Sequence, residues 1–332
     1  GRIAIGAGDN TIRIWNQSNK SNLFDISNLF YGIRSKITSA AWHPEKEGLL
    51  AYGTDDGRVG VYNTLASSKP PTMSSTFHNK TVYVVCWGPP LNADSAGYQL
   101  YSVGDGVILQ HFIGDPGKNA LNIVSSIESV NKPQKEKLIR SEMSWKPDYT
   151  AFAVGHDNGC VSIYQFPKLK ELCQVTASRK LINCTKWHPD TTVESPGGSP
   201  CQNWLAFAGN DGPISVVDLS GILATREVPG KSELVKMTEV SCQVSGHIPR
   251  TTDMCWSPHH DGKLVSVGYD NVAIVWNMRT SEAMAVFNGH EGRLLTVLWS
   301  SIDSDVIMTG GFDGTLRMWR VSQQAGTLPS IT

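Results

Sequence analysis

The chain has 332 residues, 40% hydrophobic and 18% charged, with 29 Lys and Arg against 30 Asp and Glu. This is the composition of a globular protein. It excludes a disordered polyelectrolyte and any nucleic-acid binder that works through bulk positive charge, so a basic surface has to be local. No apolar run is long enough for a membrane-spanning helix, and no secretory leader can be read. The seven cysteines are odd in number and form no CxxC pair, and several sit inside apolar strand patterns. They point to buried free thiols in a reducing compartment rather than to disulfides or zinc.

In chain order, one unit recurs. Residues 1–16 carry only its second half: Ile3-Ala-Ile-Gly, then Asp9-Asn10, then Ile12-Arg-Ile-Trp15. The second unit runs from Lys36 through Trp42 and Asp56-Gly57 to Tyr62, and the third from Lys80 through Trp87 and Asp105-Gly106 to His111. The fourth passes Trp145 and Asn158-Gly159 to Tyr164, and the fifth passes Trp187 and Asp211-Gly212 to Val217. The last two are the clearest. Gly246-His247, Trp256, Asp270-Asn271 and Trp276 are followed by Gly289-His290, Trp299, Asp313-Gly314 and Trp319. In all seven units the Asp or Asn stands six positions before the end of its strand. Asp-Gly or Asp-Asn between two apolar runs makes a tight hairpin, because Gly and Asn accept positive φ cheaply. A period of this size with these punctuation marks is a WD repeat, each unit a four-stranded blade.

The expected fold is therefore all-β, a seven-bladed WD40 β-propeller over residues 1–321. The expected blades are 1–34, 35–79, 80–137, 138–179, 180–246, 247–289 and 290–321, followed by a polar tail at 322–332. The first blade lacks its first strand and the chain opens in mid-pattern without an initiator Met. A longer parent protein is expected, with residues upstream of Gly1 a better source of the missing strand than the tail. Insertions at 89–99, 191–202 and 219–244 read as surface loops.

A His–Asp–Trp set recurs in His247, Asp270, Trp276 and in His290, Asp313, Trp319. Repetition in successive blades assigns it to structure rather than to acid–base catalysis. There is no P-loop, dinucleotide-binding glycine pattern, HExxH or nucleophile elbow, so no enzyme and no cofactor is expected. His259-His260 is not read as a metal site, since only Asp261 stands near it in sequence.

In a blade, the loop leading into the first strand and the turn between the second and third strands lie at the same end. The lead-in positions gather Arg34, Lys36, Lys80, Tyr83, Lys180, Arg250 and Arg293; the turns add Asp55, His156, Asn210, Tyr269 and Phe312. Cations that track phosphate beside rings that stack unpaired bases suit single-stranded RNA. An acidic peptide fits the same chemistry, so a scaffold gripping peptides on this face is the alternative.

Three stretches go beyond the general repeat: Trp42-His-Pro-Glu-Lys-Glu-Gly, Lys80-Thr-Val-Tyr-Val-Val-Cys-Trp-Gly-Pro-Pro, and Trp256-Ser-Pro-His-His-Asp-Gly through Val-Gly-Tyr-Asp270. With Gly292-Arg-Leu-Leu-Thr-Val-Leu-Trp299 they resemble the family of gem-associated protein five, the RNA-binding Gemin of the survival-of-motor-neuron complex, in its second propeller. The resemblance implies recognition of small nuclear RNA, through a U-rich Sm site and the methylguanosine cap, for spliceosomal particle assembly and mRNA splicing. It further implies other proteins of that complex as partners, a cytoplasmic and nuclear location including gems, and neither DNA nor membrane as a partner. By motif it makes Tyr83 and Tyr269 RNA-contacting rings. It sets Arg250 where the family usually carries Lys; Lys36, Arg293 and Phe312 join them by position.

Overall fold

The computed structural model describes residues 1–19, 21–22, 24–66, 69–92, 97–115, 117–131, 138–176, 178–189, 199–224, 234–248 and 250–324. The loops and tail expected from the sequence fall partly elsewhere: 93–96, 191–198, 225–233 and 325–332 lie outside the described residues. The fold is all-β, and its seven sheets are the blades of a β-propeller. The chain divides into two compact units, Gly1–Ser141 and Glu142–Thr332.

The first unit holds three sheets. Blade one is three-stranded, Arg2–Gly6, Ile12–Asn16 and Ile26–Leu29 in that order. Blade two is Ile37–Trp42, Leu49–Thr54, Val59–Asn63 and Thr72–Met73; blade three is Val82–Gly88, Gln99–Gly104, Val107–His111 and Leu121–Asn122. An eight-residue helix, Ile123–Val130, follows. Asn122 caps it, its side chain accepting the Val124 N–H at 3.0 Å, and Ile123, Val124 and Ile127 form its buried face. Sequence reading gave no helix here.

The second unit holds four sheets. Blade four is built on Arg140–Trp145, Ala151–His156, Cys160–Gln165 and Glu171–Thr176, and blade five on Ile182–Trp187, Trp204–Gly209, Ile214–Asp218 and Cys242–Val244. Blade six is Thr251–Trp256, Lys263–Gly268, Ala273–Asn277 and Glu282–Phe287; blade seven has, among the described residues, Leu294–Trp299, Val306–Gly311 and Leu316–Arg320. The segment 219–244 is not simply a surface loop. Its described part begins with the short helix Ser220–Ala224. It then adds Val235–Met237 to blade four in parallel with Glu171–Thr176, and ends as the outer strand of blade five. Three-residue strands are too short to show a period of two, which is why the sequence hid them.

Within each unit, apolar side chains fill the space between neighbouring blades. Ala51, Val59 and Val61 of blade two meet Val82, Val85, Trp87 and Leu100 of blade three. Cys184, Ala206, Ile214 and Val216 of blade five meet Met254, Trp256, Leu264 and Ile274 of blade six. Burial of each such side chain contributes about 1.5–3 kcal/mol. The Trp ending an inner strand does more than fill space. In blades three, five and six its indole N–H donates to a carbonyl on the preceding blade's inner strand: Trp87 to Ala41 at 3.0 Å, Trp187 to Ser144 at 3.2 Å, Trp256 to Lys186 at 2.8 Å. Trp299 departs from this, donating within its own blade to the Ser304 carbonyl at 2.9 Å.

None of the seven cysteines is in a disulfide; Cys160, Cys173, Cys184 and Cys201 are buried. No helix among the described residues is long and apolar enough to cross a membrane.

Candidate nucleic-acid interface

One backbone bond recurs at the lead-in end of the blades. The N–H of the residue opening the second-to-third-strand turn donates to the carbonyl of a lead-in residue. Asp55 donates to Lys36 at 3.1 Å, Asn210 to Leu181 at 3.0 Å, Tyr269 to Arg250 at 3.0 Å and Phe312 to Arg293 at 2.8 Å. It sets a lead-in side chain beside a turn side chain in the same blade. In blades six and seven, the two pairs so made interleave.

The Arg250 guanidinium carbon lies 5.2 Å from the Tyr269 ring centre. Arg293 lies 4.9 Å from the same ring and 4.4 Å from that of Phe312. Arg250, Tyr269, Arg293 and Phe312 thus form a ladder of alternating cation and ring. Each contact is within the 6 Å range of cation–π attraction and contributes about 0.5–2 kcal/mol. The Nε of both arginines is enclosed and meets no hydrogen-bond acceptor among the described residues. Phe312, 65% exposed, leaves an aromatic surface open at the end of the ladder.

The first unit carries the other two residues singled out from the sequence. Tyr83 is 52% exposed while Val82 before it is buried, so Tyr83 belongs to the surface and not to the core. The inner strands of blades two and three are joined there by the Thr38 hydroxyl, which donates to the Val82 carbonyl at 2.6 Å. Lys36, Arg34 and Lys80 are exposed. His156 is not a surface group. It is fully buried, and its Nε2 meets the Ser162 hydroxyl at 2.9 Å.

Behind the ladder stand the His–Asp sets. His247 Nδ1 is 3.0 Å from Asp270, its Nε2 is 2.7 Å from the Ser266 hydroxyl, and the Trp276 indole N–H donates to that hydroxyl at 2.8 Å. The relay therefore runs Asp270–His247–Ser266–Trp276, with Ser266 the member that sequence reading missed. In blade seven, His290 meets Asp313 at 2.8 Å and Thr309 at 2.8 Å. Here the expected third partner is not reached: the Trp319 indole N–H has no hydrogen-bond partner among the described residues. Its ring stacks on Phe287 instead, at 5.0 Å and 8°. Burial pushes the Asp313 carboxyl up. Hydrogen bonds from the Thr315 hydroxyl and N–H, from His290 and from the Glu291 N–H outweigh it and hold the carboxyl well below the usual range. Blade three has a further relay that no motif announced. His78 and His111 both meet the Ser102 hydroxyl at 2.7 Å, and burial pushes His111 down to about 3, so it stays neutral.

His259, half of the His pair, is turned to the Ser300 carbonyl at 2.8 Å.

The fold, its repeated turns and this rim define a WD-repeat β-propeller whose blades six and seven present stacked arginines and rings. Residues 1–312 match the family described as the RIG second beta-propeller, and the chain belongs to that family. It is similar to Gem-associated protein 5 of Homo sapiens and of Mus musculus, at 40% identity over 99% of this chain in each case. A more distant relative is Component of gems protein 5 of Dictyostelium discoideum, 22% identical over 56% of the chain. The chain spans 22% of the length of the human and mouse proteins and 19% of the Dictyostelium one.

Proposed function

We propose that this propeller binds single-stranded RNA on the lead-in face of its blades. The ligand is small nuclear RNA, met through a U-rich Sm-type site and the methylguanosine cap, during spliceosomal particle assembly with survival-of-motor-neuron complex proteins in the cytoplasm and in nuclear gems. The observation that carries the reading is the Arg250–Tyr269–Arg293–Phe312 ladder. An arginine stacked between two rings has its plane fixed before a ligand arrives. That spares part of the roughly 0.5–1.5 kcal/mol it costs to order such a side chain on binding. A fixed guanidinium can donate to phosphate or to uracil carbonyls while a base continues the stack on Phe312. Tyr83 supplies a separate exposed ring in the first unit. The likeness to proteins named for gems supports the same reading. No catalytic step is assigned.

Fluorescence anisotropy with a short labelled U-rich RNA and its scrambled counterpart tests the proposal. Tyr269→Ala, Phe312→Ala and Tyr83→Ala should each weaken binding by about 1–3 kcal/mol, the worth of one stacked base, with circular dichroism unchanged. Arg293→Lys keeps the charge but loses the plane, and should weaken binding as well. Wild-type affinity in all four variants, or equal binding of the scrambled RNA, would leave the peptide-binding scaffold as the better reading.

A further inference from the structure

At the other end of the strands in the second unit, three metal-ligating side chains meet from two blades. His188 follows the inner strand Ile182–Trp187 of blade five, and Cys201 precedes the next strand, Trp204–Gly209. Asp261 sits in the turn of blade six between Thr251–Trp256 and Lys263–Gly268. Their ligand atoms all lie within 4.8 Å of one another. The His188 and Asp261 side chains are 0% and 22% exposed, and Cys201 is 1% exposed.

The polar contacts inside this cluster are mismatched. The Gly262 N–H donates to His188 Nε2 at 3.2 Å, so that nitrogen carries a lone pair. The same nitrogen faces Asp261 Oδ1 at 3.4 Å, a second electron-rich atom. A proton on Nε2 would satisfy the carboxylate but set two N–H groups against each other. Asp261 Oδ2 is enclosed without a hydrogen-bond partner among the described residues, and the nearest cationic group, on Arg279, is 4.0 Å away.

We propose that His188, Cys201 and Asp261 form a transition-metal site of the zinc class, with water or the Ser199 hydroxyl in the fourth position. Zn–N and Zn–O bonds of about 2.0–2.1 Å at tetrahedral angles put the two atoms roughly 3.4 Å apart. The observed His188–Asp261 separation is 3.4 Å. The metal takes the lone pair that now receives the long Gly262 contact. The sulfur moves in to the roughly 3.6 Å that a Zn–S bond of about 2.3 Å requires, a change within reach of the Cys201 rotamer. Ser199 already donates its hydroxyl to Asp261. The N, S, O donor set selects against magnesium and calcium, which take oxygen only. Because the ligands come from two blades, the ion pins the blade-five connection to the blade-six turn, and its binding stabilises the folded state.

Cobalt(II) substitution tests the site. Tag-free protein is stripped with a chelator and titrated with cobalt(II), then with zinc(II). One equivalent should give a near-ultraviolet thiolate-to-cobalt charge-transfer band and the visible bands of tetrahedral cobalt. Zinc should remove both and raise the melting temperature. Cys201→Ser should abolish the charge-transfer band, and Asp261→Asn should weaken cobalt binding by about 10–100-fold. If Cys201→Ser does not fold, alkylation of wild-type protein under mild denaturant decides: the thiol that zinc shields must be Cys201. No charge-transfer band in the wild type, a band that survives in folded Cys201→Ser, or shielding of another cysteine would overturn the site.

Discussion

Trp276 and Trp319 hold the same place in consecutive blades, yet only one is wired. Trp276 donates to Ser266, whose oxygen also meets His247, whereas Trp319 packs on Phe287 and donates to nothing among the described residues. Losing the first indole N–H removes a hydrogen bond from a buried relay, at a cost of about 1–3 kcal/mol. Losing the second removes only packing area. Urea denaturation should therefore find Trp276→Phe clearly more destabilising than Trp319→Phe; the reverse order would show that stacking, not the relay, dominates. At this scale the sequence showed the ends of each relay and not its middle. His247, Asp270 and Trp276 stand out because they recur, but Ser266 and Thr309 are small polar residues inside apolar strands and carry no pattern. His78 and His111 were hidden for the opposite reason. His111 stands where five of the other six blades have Trp or Tyr, so the blade-three relay has no motif to be read from. The ladder was more legible: all four members were named from position alone, because a fixed turn length fixes where its first residue points. That the rings and guanidiniums would alternate in contact needed coordinates, since it depends on the spacing of one blade from the next.

Among the elements, the tight turn of blade two shows why a glycine is required. Gly57 has φ of +89°, and a Cβ there would lie 2.0 Å from the His78 carbonyl oxygen, which is backbone and cannot step aside. The Gly57 carbonyl in turn accepts the His78 N–H at 2.9 Å, so turn and lead-in loop are already bonded. Gly57→Ala should lower stability by more than the ~1–3 kcal/mol of backbone strain alone, read as a fall in melting temperature. The inner strands of the second unit make a different prediction. Asp253 joins three of them, accepting from Cys184, from Thr296 and the Val297 N–H, and pairing with Lys186 at 3.4 Å. Glu142, on the next inner strand, is buried. Burial pushes its carboxyl up to about 8, the nearby Lys186 countering only in part. The folded state therefore holds a proton that the unfolded chain releases near pH 4.5. Stability tied to that proton is full below pH 4.5 and declines as pH rises towards about 8. Glu142→Gln should flatten that decline and raise the melting temperature at pH 8 relative to wild type; an unchanged pH profile would show that Glu142 is ionised throughout. Elements with a long period were legible in the sequence. The helix Ile123–Val130 and the short strands within 219–244 were not, because fewer than three turns or four residues give periodicity too little to act on.

For the molecule as a whole, a formal net charge of −1 hides where its cations stand. If phosphate is the partner of the two ladder arginines, binding of single-stranded RNA should weaken with salt. The expected slope is about −0.7 in log K per log salt for each phosphate neutralised, so about −1.4 for these two alone. Anisotropy titrations at several salt concentrations read it directly. A slope near zero with affinity retained would mean that docking rests on the rings and suits a peptide. Fold and repeat number were legible because each blade needs the same tight turn at the same distance from its strand end. The cluster of His188, Cys201 and Asp261 was not, because its members come from two blades and Cys201 and Asp261 follow no repeat pattern.

The bond from Tyr269 N–H to the Arg250 carbonyl, and its counterpart from Phe312 to Arg293, has one more consequence. This bond engages only the main chain of the rim residues, while their side chains stack on one another. At the two turn positions any residue that keeps an N–H can make the bond, and only proline is barred. The rim therefore behaves like a row of type in a fixed frame. Its letters can be reset one at a time, and a change of ligand need not pass through a change of fold.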